Sequence, residues 1–181
     1  MDINTLVKIT SRAWSLKILA LMHEGVPGRQ APLLTASQAS RTAFGASLTH
    51  LVDLQLLERN SGHGHPLRPE FRLTVDGVQA AKIASNIIDA VPRPAETKIL
   101  RKSWTVPTLA VIESPRHFIE IKSDLSSITD RALSHSLSLL HEREWLRRDV
   151  DVSKRPLRPT YRATNIGVHI SQAVNLYGPL D

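Results

Sequence analysis

Pro66-Leu67-Arg68-Pro69-Glu70-Phe71-Arg72-Leu73-Thr74 returns 90 positions later as Pro156-Leu157-Arg158-Pro159-Thr160-Tyr161-Arg162-Ala163-Thr164, and Gly77 is answered by Gly167 at the same spacing. Self-similarity at a fixed interval has to be found first, because missing it misassigns the whole fold. Sliding the chain along itself by 90 also lays Val7-Lys8-Ile9-Thr10-Ser11-Arg12-Ala13-Trp14 on Thr97-Lys98-Ile99-Leu100-Arg101-Lys102-Ser103-Trp104. Between these anchors Ser47-Leu48 and Leu57-Glu58-Arg59 meet Ser136-Leu137 and Leu146-Arg147-Arg148 at a shift of 89, so one residue is lost and regained, as loops allow. The reading is two copies, 1–91 and 92–181, joined at Val91-Pro92-Arg93-Pro94-Ala95, where two prolines disfavour a continuous helix.

Each copy predicts the same order of elements. Trp14, Ile18, Leu21 and Met22 have the spacing of a helix with one buried stripe, with Ser11 ahead of it as N-cap. Trp104, Leu109 and Ile112 repeat it, with Pro107 near the front and Ser114-Pro115 at the end. A short second helix follows over Gln30 to Ser37 and over Phe118 to Leu125. The third helix carries Phe44, Leu48, Leu51 and Val52 in one copy and Leu133, Leu137 and Leu140 in the other, each preceded by small polar residues suited to a turn and an N-cap. Leu56 to Arg59 and Phe71 to Leu73 predict one hairpin; Trp145 to Arg148 and Tyr161 to Ala163 predict the other, with Asn60 to His65 and Asp149 to Arg155 as loops. Thr74 and Thr164 open a last helix with stripes Ala80, Ala84, Ile87, Ile88 and Ile166, Ile170, Ala173, Val174. The fold class is mainly α with small β-hairpins (α+β), arranged as tandem winged helix-turn-helix domains.

Composition narrows the function. With 41% hydrophobic and 22% charged residues among 181, a packed core is expected and wholesale disorder is excluded. The absence of cysteine removes disulfides, thiolate metal ligands and cysteine nucleophiles together. No glycine-rich phosphate loop, nucleophile elbow or His-Glu-x-x-His pair occurs, so neither catalytic residues nor a cofactor are expected and the chain reads as a non-enzyme. His63-Gly64-His65 lacks nearby acidic or thiol partners and makes a weak metal site; no metal is expected. No apolar run approaches a membrane span and Met1 to Leu6 lacks signal-peptide order, so a cytoplasmic protein is expected. The net charge of +6 suits a surface that meets a polyanion.

The order of elements is that of a winged helix, and the chain resembles the HxlR type of bacterial winged-helix transcription regulators. Ser114-Pro115-Arg116-His117-Phe118-Ile119-Glu120-Ile121-Lys122, Ile128-Thr129-Asp130-Arg131-Ala132-Leu133-Ser134 and Pro156 to Gly167 carry the resemblance. The first copy departs from it at Gly28-Arg29-Gln30-Ala31-Pro32-Leu33-Leu34, which lacks the phenylalanine and the glutamate. What the resemblance implies is double-stranded DNA as partner, a nucleoid location, and two copies doing within one chain what family members do as dimers.

On that reading the exposed side of each third helix faces base edges while the apolar stripe faces the core. The candidates are Gln38, Ser40, Arg41 and Thr42 in the first copy and Thr129, Asp130, Arg131, Ser134 and His135 in the second, with Gly45, Thr49 and Ser138 beside them. Arginine reads guanine and glutamine reads adenine, whereas serine and threonine position the backbone; Asp130 and Arg131 could equally cap and solvate a helix end. Arg68, Lys154, Arg155 and Arg158 are the wing residues expected to meet phosphate, among Arg59, Arg72, Arg147, Arg148 and Arg162. The second copy, with 14 basic and 10 acidic residues against 9 and 7, is the stronger phosphate binder expected. Trp14, Trp104 and Trp145 read as core. A homodimer or a contact with RNA polymerase stays open, and the competing reading is a protein-interaction adaptor, motivated by the departures in the first copy and by Asp149 and Asp151 in the second wing.

Overall fold

The structure, a computed structural model, describes residues 1–63, 68–151 and 158–174. Among the described residues it is mainly helical, with two small antiparallel sheets. The first half runs α1 (Ile3–Thr10), α2 (Ser15–His23), α3 (Gln30–Ser37), α4 (Arg41–Asp53), β1 (Leu57–His63), β2 (Arg68–Leu73) and α5 (Val75–Asp89). After a 3-10 turn over Glu96–Arg101 come α6 (Thr105–Val111), β3 (Arg116–His117), α7 (Phe118–Asp124), α8 (Asp130–Glu142), β4 (Leu146–Asp151), β5 (Arg158–Ala163) and α9 (Ile166–Val174).

The helix α1 is unforeseen by periodicity, and its caps explain it. Asp2 Oδ1 accepts hydrogen bonds from the Asn4 and Thr5 amides at 2.9 and 3.1 Å, satisfying donors that a helix start leaves orphaned. Ser11 therefore ends α1 instead of capping α2: its hydroxyl donates to Lys8 O at 2.7 Å, beside His50 Nε2, which donates to the same carbonyl at 2.8 Å. Trp14 takes the N-cap position of α2, with no side-chain hydrogen bond there.

A shared corner closes each hairpin. Gln55 and Glu144 both adopt φ of 58°, the left-handed region, and turn the chain into β1 and β4. Their carbonyls accept the hydroxyls of Thr74 at 2.7 Å and Thr164 at 2.9 Å, while the amides of those threonines donate to Leu56 O and Trp145 O. Thr74 also caps α5, accepting from Gly77 N at 3.0 Å. The strands run further than polarity suggests, through His63 in β1 and Asp151 in β4, because backbone pairing is indifferent to exposed polar side chains. Asn60 to His63 and Asp149 to Asp151 thus belong to strands and not to loops, with an irregular register between Asn60 and His63.

The core is continuous between the halves. Leu6, Ile9, Ile18, Leu51, Ala84 and Ile87 on one side join Leu109, Ile121, Leu133, Leu140 and Ile170 on the other. Helix α5 packs against α9 and α1 packs against α6. Trp145 is buried beneath the second hairpin; Trp14 and Trp104 pack against the core as expected but are half-buried, a correction to their full burial. They occupy the N-cap positions that open α2 and α6, at the ends of those helices and not within their buried stripes.

Candidate nucleic-acid interface

Helix α8 shows how the site is built. Thr129 Oγ1 accepts from Ala132 N at 3.2 Å and fixes the first turn. Leu133, Leu137 and Leu140 are buried, so Arg131, Ser134, His135 and Ser138 are turned outward and all four are exposed. Asp130 is exposed too, but its carboxylate pairs with Lys122 of α7 and sits on the positive end of α8. The ion pair ties the two helices of the motif together at their common turn. Nothing in the spacing of Lys122 from Asp130 announces it, since the pair spans a turn and follows no helical period.

Helix α4 has the same construction. Ser40 Oγ accepts from Ala43 N at 3.3 Å; Phe44, Leu48 and Leu51 are buried; Arg41, Thr42 and Thr49 are exposed, with Gly45 half-buried. Ser40 and Thr129 are thus engaged as caps, with their hydroxyl oxygens turned to the helix amides. Gln38 is exposed in the turn ahead of α4, with φ of 58°, as the left-handed residue that ends α3.

The second wing carries its charge in register. Arg147 stands opposite Arg162 and Asp149 opposite Thr160, so Arg147, Arg158 and Arg162 share one face of the hairpin with Asp149. Arg147 Nε donates to Asp149 Oδ2 at 2.9 Å, which offsets the repulsion between the facing arginines. Arg148 is exposed on the opposite face. The strand β3 adds a third member to this sheet along β5, and Glu120 of α7 accepts from the His117 amide at 2.6 Å, so the start of α7 is anchored to the wing. In the first half, among the described residues, an isolated bridge between Arg29 and Glu70 stands in a comparable place.

The first wing is less cationic than its arginines suggest. Arg72 lies opposite Glu58 and pairs with Glu70 at 3.3 Å, leaving Arg59 as the exposed cation of β1. Arg68 begins β2, but its side chain, like Lys154 and Arg155 entirely, lies outside the described residues, as does His65. Among the described residues no cluster of three or more His, Asp or Glu could hold a metal ion, and no helix is long and apolar enough to cross a membrane.

Two packed helices joined by a tight turn, the second presenting a polar face beside a basic hairpin, define a helix-turn-helix with a wing. Residues 99–177 match the family described as HxlR-like helix-turn-helix, the stretch that holds α6 to α9. Neither the curated proteins nor the solved structures yield a match to the chain. The family match points to a DNA-binding transcription regulator.

Proposed function

We propose that the protein is a sequence-specific double-stranded DNA-binding transcription regulator whose halves, 1–91 and 92–181, work as an intrachain pseudo-dimer of winged helices. The observation that carries the reading is the exposed face of α8, with Arg131, Ser134 and His135, followed in the chain by the arginine-bearing β4 and β5 hairpin, inside the segment that matches the helix-turn-helix family. In this reading α8 and α4 enter successive major-groove segments. Arg131 and Arg41 read base edges, Ser134, His135, Thr42 and Gln38 support them, and Arg158, Lys154, Arg155 and Arg68 meet phosphates.

The repeated hairpin corner at Gln55 with Thr74 and at Glu144 with Thr164, and the packing of α5 on α9, favour two equivalent modules in one body. Because the outward residues of α4 and α8 differ, the two half-sites differ as well. A competition binding assay tests this: a duplex selected from a random pool should outcompete unrelated duplex by about a thousandfold or more, with steep loss of affinity as salt rises. Equal affinity for all duplexes, or indifference to salt, refutes it.

A further inference from the structure

Between the halves lies a cleft of about 700 Å³, within the size range of small-molecule sites. Its apolar wall is made by Leu16 of α2, Ile88 at the end of α5, Val91 and Leu100. Its charged side groups are Lys17, Lys98, Arg101 and Asp89, three cations against one carboxylate. Among the described residues, none of these three cations has a carboxylate within ion-pair distance.

Arg101 is the most constrained of the three. Its guanidinium carbon lies 4.6 Å from the centroid of the Trp14 ring, so the charge sits over the indole face. A contact with the indole face forms no ion pair, so the guanidinium's planar fork of N–H donors remains available, and that fork matches a carboxylate. Trp14 thus holds Arg101 in place before any ligand arrives, which lowers the ordering cost of binding. The half-burial of Arg101, Lys17 and Trp14 keeps the charge close to apolar walls, where it is less screened than on the open surface.

We propose that this cleft is a binding site for a small aromatic carboxylate, with the carboxylate forked by Arg101, further held by Lys98 and Lys17, and the ring system against Leu16, Ile88 and Val91. Net positive charge excludes cationic ligands, and the apolar wall disfavours small hydrated anions that have no body to bury.

Calorimetric titration of the full chain with 2-naphthoate, and with naphthalene-2-methanol as its uncharged twin, tests the site without DNA. The acid should saturate at one per chain and bind about tenfold or more tighter than the alcohol, the worth of a charge-assisted pair. Arg101→Gln should remove that advantage and leave the weak binding of the alcohol unchanged. Should Arg101→Gln fail to fold, Lys98→Gln, at an exposed position, should weaken the acid by about threefold and spare the alcohol. Equal affinity of acid and alcohol, no saturable heat up to a few millimolar acid, or an acid affinity unmoved in a folded variant would each overturn the assignment.

Discussion

Gly167 rests directly on the carbonyl oxygen of Trp145: a Cβ at position 167 would stand 1.9 Å from that oxygen, and Gly77 has the same relation to Leu56 O. These glycines lie in the first turns of α9 and α5, and the carbonyls belong to the residues ahead of β4 and β1. Only a residue without a side chain lets the last helix of each half come so close to the base of its hairpin. Since those carbonyls already accept the Thr164 and Thr74 amides, the backbone cannot retreat without losing hydrogen bonds.

Gly167→Ala and Gly77→Ala should therefore each destabilise the protein by at least ~2 kcal/mol, against a gain of about 0.5–1 kcal/mol for Gly45→Ala, inside α4, where a Cβ meets nothing within 4 Å. Urea unfolding monitored by circular dichroism measures this. A Gly167→Ala midpoint equal to that of the parent would show that the corner yields.

Arg131→Ala and Arg158→Ala should weaken DNA binding in different ways. Loss of Arg131 should cost about 1–3 kcal/mol on the preferred duplex and relax selection at a single position, whereas loss of Arg158 should weaken all sequences alike and lower the salt slope by about one. Binding across a duplex library at several salt concentrations separates the two effects.

The pairing of Asp130 with Lys122 is exposed on both sides, so Asp130→Asn should change stability by less than about 1 kcal/mol. It also removes a negative charge from the tip of α8. Affinity for unrelated duplex should rise, and the gain should shrink as salt is added. A fall in affinity would show that Asp130 contributes directly to the interface.

Asp2 governs the first helix. Hydrogen bonds from the Thr5 hydroxyl and amide, with that from Asn4, hold its carboxyl below the ordinary value of 3.8. A carboxyl lowered on folding stabilises above its unfolded pKa, and this contribution is lost as pH falls through the folded value. Asp2→Ala should cost about 1 kcal/mol at neutral pH, and the difference from the parent should disappear in strong acid; amide exchange in Leu6 to Thr10 reads it locally.

Much of the fold was legible because apolar residues recur at helical spacing. Phe44, Leu48 and Leu51, and Leu133, Leu137 and Leu140, are the buried sides of α4 and α8, and Gln30 to Ser37 is α3 to the residue. What escaped depends on partners distant in sequence. The helix α1 packs on the distant α6 as well as on its neighbour α2, and Trp14 lines the cleft beside Arg101, so neither could be read from local pattern. In the site, outward positions on α8 followed from periodicity, but the engagement of Asp130 by Lys122 and the neutralisation of Arg72 between Glu58 and Glu70 are products of docking and of strand register. Charge counted along a chain overstates the field of a hairpin whose acidic residues fall on the same face.

The packing of α1 on α6 also orders events during synthesis. Residues 3–10 leave the ribosome long before Thr105–Val111 exists, and the apolar flank that α1 turns toward α6 has no mate in that interval. The nascent N-terminal portion thus travels with an open seam that only the later portion can seal, and a pause in translation between Ala90 and Trp104 would lengthen its exposure to chaperones.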